Sequence, residues 1–180
     1  MFQRILVPLD GSDGAECAIP VAARIARACG GAIVFVQVVP PPTNLGTYAT
    51  PANGLLASKP NTFEKDLADA ASYLTATTAA YADDLAGIKT EIDVASGAAA
   101  STISSAARLE DVDLIVMATQ GRGGLRHLVM GSVTEHVLNS TKLPLLIVRP
   151  HEAEAKREKP GETTKAEVTE VEVQMEIGLM

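Results

Sequence analysis

The 180-residue chain is 47% hydrophobic, 3% aromatic and free of Trp, with a formal net charge of −7. That suits one domain with an aliphatic core and argues against a general nucleic-acid or anionic-membrane binder, both of which need a basic face. The longest apolar runs, AIVFV (32–36) and LIVMA (114–118), are far below spanning length.

MFQRILVPLD enters a core strand with no basic n-region, long h-region or cleavage site, so a cytoplasmic protein is expected. ILVPL (5–9) is a solid apolar run, typical of a strand covered on both faces. Ser12 offers an N-cap, and Ala15, Ala18, Ile19, Ala22, Ile25 and Ala26 recur at helical spacing, with Pro20 as a place to bend and Gly30-Gly31 as the stop. Cys17 and Cys29 both fall on this helix, about 18 Å apart, too far to pair, and read as small buried apolar side chains. AIVFVQVV (32–39) is a second buried strand, ended by Pro40-Pro41-Pro42. Residues 43–62, rich in Asn, Thr, Pro and Gly, read as a long loop. A second helix is expected from about Phe63 to Leu85. Ile92 and Val94 alternate with charged or polar neighbours, as in a half-exposed edge strand. A third helix spans Ser101 to Leu109, a buried strand 113–119, a fourth helix about Ser132 to Asn139, and Pro144 opens a last strand, LLIVR, closed by Pro150.

Strands alternating with helices imply an α/β fold, a parallel sheet with helices on both faces and right-handed crossovers. In such sheets ligands sit beyond the carboxyl ends of the strands, where the strand order reverses. Two loops carry chemistry-capable residues: Pro8 to Ser12 after the first strand, and ATQGRGGLRHLVMGS (118–132) after the fourth. They open on one crevice if those strands are neighbours, which spacing alone does not establish.

The second loop holds four of the chain's 14 glycines, with Arg122, Arg126 and His127 and no acid. Bare backbone lets N–H groups approach phosphate oxygens, and Gly131-Ser132 stands at a helix start, whose unpaired N–H groups and positive dipole end favour an anion. A tight strand-to-helix connection would need only one or two glycines, so the phosphate reading is preferred. There is no GxxxxGK[ST], no GxGxxG after the first strand, and only Tyr48 as an aromatic near the loops for flavin stacking.

DLIVMATQGRGGLRHLVMGSVTEHVL, LPLLIV and RILVPLDGS together resemble a universal stress protein domain over about residues 1 to 150. That family is known for the pattern G-x2-G-x9-G-[ST], associated with ATP binding. Gly121, Gly131 and Ser132 match it, and its first glycine falls on Ala118, a departure. The resemblance implies a three-layer, Rossmann-like fold with five parallel strands in the order 3-2-1-4-5, usually in homodimers. It also implies site residues: Asp10 for the ribose hydroxyls, Pro8 and the backbone of Val38 for adenine, and Gly121, Arg122, Gly131, Ser132 and Val133 for the triphosphate. Ala118 and Gly124 complete the candidate set. Each residue has a plainer reading. Asp10 can be a turn residue that caps a helix, Pro8 can shape a strand end, and Arg126, His127 and His136 can be surface residues. No second His, Cys or acid stands at metal-ligand spacing near those histidines.

No nucleophile–base pair is legible. The first functional expectation is therefore an ATP-binding stress-response or regulatory module, with Mg²⁺ held through the phosphates and slow or partner-dependent hydrolysis at most. The second is a dimerising scaffold that binds no nucleotide, which Ala118 favours. The third, a related adenine-nucleotide hydrolase, would want SGGxDS after the first strand, where this chain has DGSDGAE.

From His151 the chain has a linker composition, with four Lys/Arg against eight Asp/Glu. Val171, Val173, Met175, Ile177 and Leu179 then alternate with Glu172, Gln174, Glu176 and Gly178, which is strand periodicity. Residues 151–180 are thus read as a charged linker and a possible C-terminal β-strand.

Overall fold

The computed structural model describes residues 2–42, 62–119 and 131–149. The glycine loop from 120 to 130, with Gly121, Arg122, Gly124, Arg126 and His127, lies outside these residues, as do the 43–61 loop and the tail with its expected strand.

The elements alternate as expected. They are β1 (Arg4–Leu9), α1 (Asp13–Glu16), α2 (Ala18–Cys29), β2 (Ala32–Val39), α3 (Thr62–Ala80), β3 (Thr90–Ser96), α4 (Ala99–Leu109), β4 (Leu114–Ala118), α5 (Ser132–Ser140) and β5 (Leu145–Val148). All strand pairs are parallel, in the order β3-β2-β1-β4-β5. The order reverses between β1 and β4, where Ile5 lies opposite Leu114 and Leu6 opposite Ile115.

The continuous apolar runs follow from burial on both faces, because successive side chains point to opposite sides of a sheet. Ile5, Val7 and Leu9 of β1, Ile33 and Phe35 of β2, and Leu114 and Val116 of β4 pack with α2 and with Leu74 of α3. Leu6, Val34, Val36, Ile115 and Met117 point the other way, against Ile103, Ala106 and Ala107 of α4 and Val137 of α5. β3 is an edge strand and leaves Ile92 exposed, in keeping with its alternating sequence.

Three local features differ from the sequence reading. The first helix is two helices, broken at Cys17. Cys17 is buried at the break, whereas Cys29, the last residue of α2, is only half-buried, because it stands at the helix end; neither forms a disulfide. The second helix ends at Ala80 rather than near Leu85. The chain turns from Tyr81 to Gly87, with Gly87 at φ +77°. Leu85 is buried all the same, so its apolar spacing reports core contact without helix. Helix α4 begins at Ala99, two residues before Ser101.

Candidate functional site

The carboxyl ends of β1, β2 and β4 meet at the point where the strand order reverses, the usual place for a ligand crevice in an open α/β sheet. At the end of β1, Pro8 is buried and Asp10 half-buried. Gly11 follows at φ +84°, a left-handed turn that glycine adopts without strain. The Asp10 carboxylate bends back over this turn. Its Oδ1 accepts from the Ser12 hydroxyl at 2.6 Å and from the Ser12 backbone N–H at 3.1 Å. Ser12 Oγ in turn accepts from the Ala15 N–H at 3.2 Å and so caps α1. Asp10 is thus a turn residue, and the capping itself falls to Ser12.

β2 outruns β1. The β1–β2 register ends with Leu9 opposite Gln37, whereas Val38 and Val39 continue opposite Ala95 and Ser96 of β3. On its β1 side the backbone of Val38 therefore lies past the end of the ladder. The Val38 side chain is half-buried and packs on the α4–α5 side of the core.

At the end of β4, Ala118 is 7% exposed, so its methyl belongs almost wholly to the interior. The chain leaves at Thr119 and returns at Gly131, and the two are hydrogen-bonded: the Gly131 N–H donates to the Thr119 carbonyl at 2.8 Å. The Thr134 hydroxyl donates to the Ala118 carbonyl at 3.0 Å, in the buried interior. The glycine loop thus leaves and re-enters the fold at one pinned junction. Gly131 is required there for packing, since a Cβ on it would stand 2.8 Å from the Thr119 oxygen.

Gly131 is the N-cap of α5, and among the described residues no side chain caps that end. The N–H groups of a helix's first turn have no intrahelical carbonyl to bond and lie at its positive dipole end. Ser132 and Val133, in this turn, are exposed. Pro8, Asp10, Val38, Ala118, Gly131, Ser132 and Val133 therefore come from four elements to one end of the sheet. Gly121, Arg122 and Gly124 belong to the loop that the Thr119–Gly131 junction closes, outside the described residues. His136 is exposed on α5. Among the described residues, no group of three or more His, Cys, Asp or Glu could hold a metal ion.

Two features of the site were missed by sequence reasoning. Thr134 locks α5 to β4, and nothing in its spacing distinguishes it from any other helix-face threonine. Glu16, 7% exposed, accepts from the Tyr73 hydroxyl at 2.9 Å and from the Tyr81 hydroxyl at 3.5 Å, tying α3 to α1 behind Asp10. Burial, with the nearby Glu16 charge second, pushes the Tyr73 hydroxyl above the usual tyrosine range. Glu16 follows the Asp10-Gly11-Ser12 turn, so its burial depends on where α3 packs.

Residues 1–149 match the family model of the universal stress protein family. The chain belongs to that family. It is 33% identical over 151 residues to a universal stress protein of Thermus aquaticus, covering 83% of this chain and 100% of the relative. In fold it is similar to the universal stress protein UspA from Lactobacillus plantarum, with a TM-score of 0.66 at 24% identity, covering 82% of this chain and 98% of that one. It is similar also to the universal stress protein from Archaeoglobus fulgidus solved in complex with dAMP, with a TM-score of 0.56 at 20% identity, covering 81% and 97%. In this universal stress protein no helix among the described residues is long and apolar enough to cross a membrane.

Proposed function

We propose that this universal stress protein binds an adenine nucleotide, ATP in the first instance, and acts as a cytoplasmic stress-response or regulatory module. The observation that carries the reading is that the adjacent strands β1 and β4 lead, at the same end of the sheet, to a carboxylate beyond β1 and to the start of α5, which no side chain among the described residues caps. A nucleotide has the matching polarity: a diol that donates to a carboxylate and phosphates that accept from N–H groups. In this reading Asp10 takes the ribose hydroxyls, and Pro8 and the Val38 backbone border the base. Gly121, Arg122, Gly124, Gly131, Ser132 and Val133 surround the phosphates, which carry any Mg²⁺. The solved dAMP complex of the Archaeoglobus fulgidus protein, which shares the fold, supports an adenine nucleotide as the ligand class.

Ala118 bears on the alternative, a dimerising scaffold that binds no nucleotide. Ala118, the departure from the glycine pattern, is buried at the end of β4, and the calorimetry below decides between the two readings. No residue is assigned a catalytic role, and hydrolysis is expected to be slow or absent. The protein is proposed to work as a homodimer, which its mass in solution tests.

Calorimetry with ATP and Mg²⁺ on nucleotide-stripped protein decides the main reading. Binding is expected, and Asp10→Ala is expected to weaken it by about 1.5–3 kcal/mol, the range for hydrogen bonds to a charged group. Absence of both heat and thermal shift at millimolar ATP would leave the scaffold reading standing.

A further inference from the structure

We propose that the segment 171–179 of this chain adds to the outer edge of β5 as a sixth strand, beneath the exposed flank of α5; the proposal does not depend on the nucleotide reading. The sheet ends at β3 and β5. On the inner side of β5, the carbonyls of Pro144 and Val148 accept from the Ile115 N–H at 3.0 Å and the Thr119 N–H at 2.9 Å of β4. Backbone groups of successive strand residues point to opposite sides, so Leu146 also faces β4, while Leu145 and Ile147 direct their N–H and C=O groups outward. Among the described residues no strand pairs with that outer side. Such an edge is usually guarded by charge, yet Leu145–Val148 carries none. α5 adds an apolar flank above it. Val137 packs in the core with Leu145, and the Ser140 hydroxyl lies 2.8 Å from that of Ser104 on α4, which together fix the rotation of the helix. Leu138 is turned about 100° from Val137, to the side opposite Ser140. It therefore lies on the flank away from α4, toward the edge of β5, and is 46% exposed.

Three observations name the occupant. The chain leaves the fold at Arg149, directly after β5, and runs on to Met180. The stretch before Val171, about twenty residues at up to about 3.3 Å each, far exceeds the length of a four-residue strand, so the segment reaches this edge in either direction. Val171, Val173, Met175, Ile177 and Leu179 supply one apolar face to lie beneath Leu138, and Glu172 and Glu176 keep the other in water. Charge then chooses between the two edges. Residues 151–180 hold four Lys/Arg against eight Asp/Glu. β5 is flanked by exposed Lys142 and Arg149, whereas β3 carries Glu91 and Asp93, which oppose an acidic strand. The tether favours the chain's own segment over that of a second copy, since a short flexible linker gives an effective concentration of about millimolar, above micromolar protein in solution.

The test is amide hydrogen exchange on the full chain, read residue by residue by NMR. In wild type the amides of Leu145, Leu146, Ile147 and Val148 are all expected to exchange slowly. Val173→Asp combined with Met175→Asp is expected to speed Leu145 and Ile147 by about tenfold or more and to leave Leu146 and Val148, which face β4, at their wild-type rates. Fast exchange of Leu145 and Ile147 in wild type, rates that the double substitution leaves unchanged, or equal acceleration of all four amides overturns the proposal. A mixture of the isotope-labelled double variant with excess unlabelled wild type separates the chain's own segment from that of another copy. Leu145 and Ile147 of the labelled chain are expected to stay fast, and recovered protection would show that the segment crosses between copies, which overturns the assignment to its own chain.

Discussion

Gly131 stands at the junction of two demands. The phosphate reading asks for bare backbone at the start of α5, and the fold asks for it independently, because a Cβ would meet the Thr119 carbonyl at 2.8 Å. Sequence reasoning alone expects Gly131→Val to abolish binding and spare the fold. The structure revises that expectation: the substitution must part α5 from the end of β4, where the Gly131 N–H bonds Thr119. A loss of stability of about 1–3 kcal/mol, the usual scale of overpacking, is expected in urea denaturation alongside any loss of binding. An unchanged midpoint would show that the junction yields. Asp10 and Ser12 were both legible as a turn and a cap from Asp-Gly-Ser. That the cap also clamps the acid was not, since it depends on Gly11 adopting a positive φ.

Among the elements, β3 shows how an edge strand is held from the far end of the sheet. Arg4, the first residue of β1, pairs with Glu91 of β3 at 2.6 Å and with Glu110 after α4, and Lys89 adds a bond to Glu91 at 2.8 Å. The Arg4 guanidinium first, and Lys89 second, hold the Glu91 carboxyl down to about 2, below the ordinary value of about 4.3 for glutamate. The folded state thus favours ionised Glu91. The associated stability is present above the ordinary value and is lost as pH falls toward about 2. Glu91→Gln is therefore expected to flatten the fall in urea midpoint across that window, and a variant as acid-sensitive as wild type would refute the assignment. Helix boundaries were less legible than strands. The break at Cys17 and the early end of α3 both leave the apolar spacing intact, so the spacing could not reveal them.

For the whole molecule, the decisive fact is adjacency. Ile5 of β1 and Leu114 of β4 lie 109 residues apart in the chain, yet they pair, and the pairing brings the carboxyl ends of the two strands side by side. The tail is the other question at this scale. β5 is the last strand of the sheet, with Leu146 exposed, and an edge strand offers unpaired N–H and C=O groups. The alternation at 171–179, outside the described residues, leads to the expectation that this segment pairs with such an edge. Truncation after Arg149 should then lower the melting temperature and speed amide exchange at Leu145–Val148. Unchanged exchange, melting and mass would set that expectation aside.

The order of strands and helices, the two-faced burial of β1, β2 and β4, the exposed character of β3 and the glycine-rich loop were determined by the sequence itself. Each is a local pattern, in which apolar runs, alternation or a cluster of turn residues carries its own physical meaning. The family resemblance supplied the strand order, which local patterns do not contain, because it is set by which strands bury one another's backbone across long stretches of chain. Only the tertiary structure decided that Ala118 is buried, that Thr134 and Gly131 tie the start of α5 to Ala118 and Thr119, and that buried Glu16 pairs with Tyr73. Those are contacts between elements, and a side chain's neighbours across a fold are not written in the residues beside it.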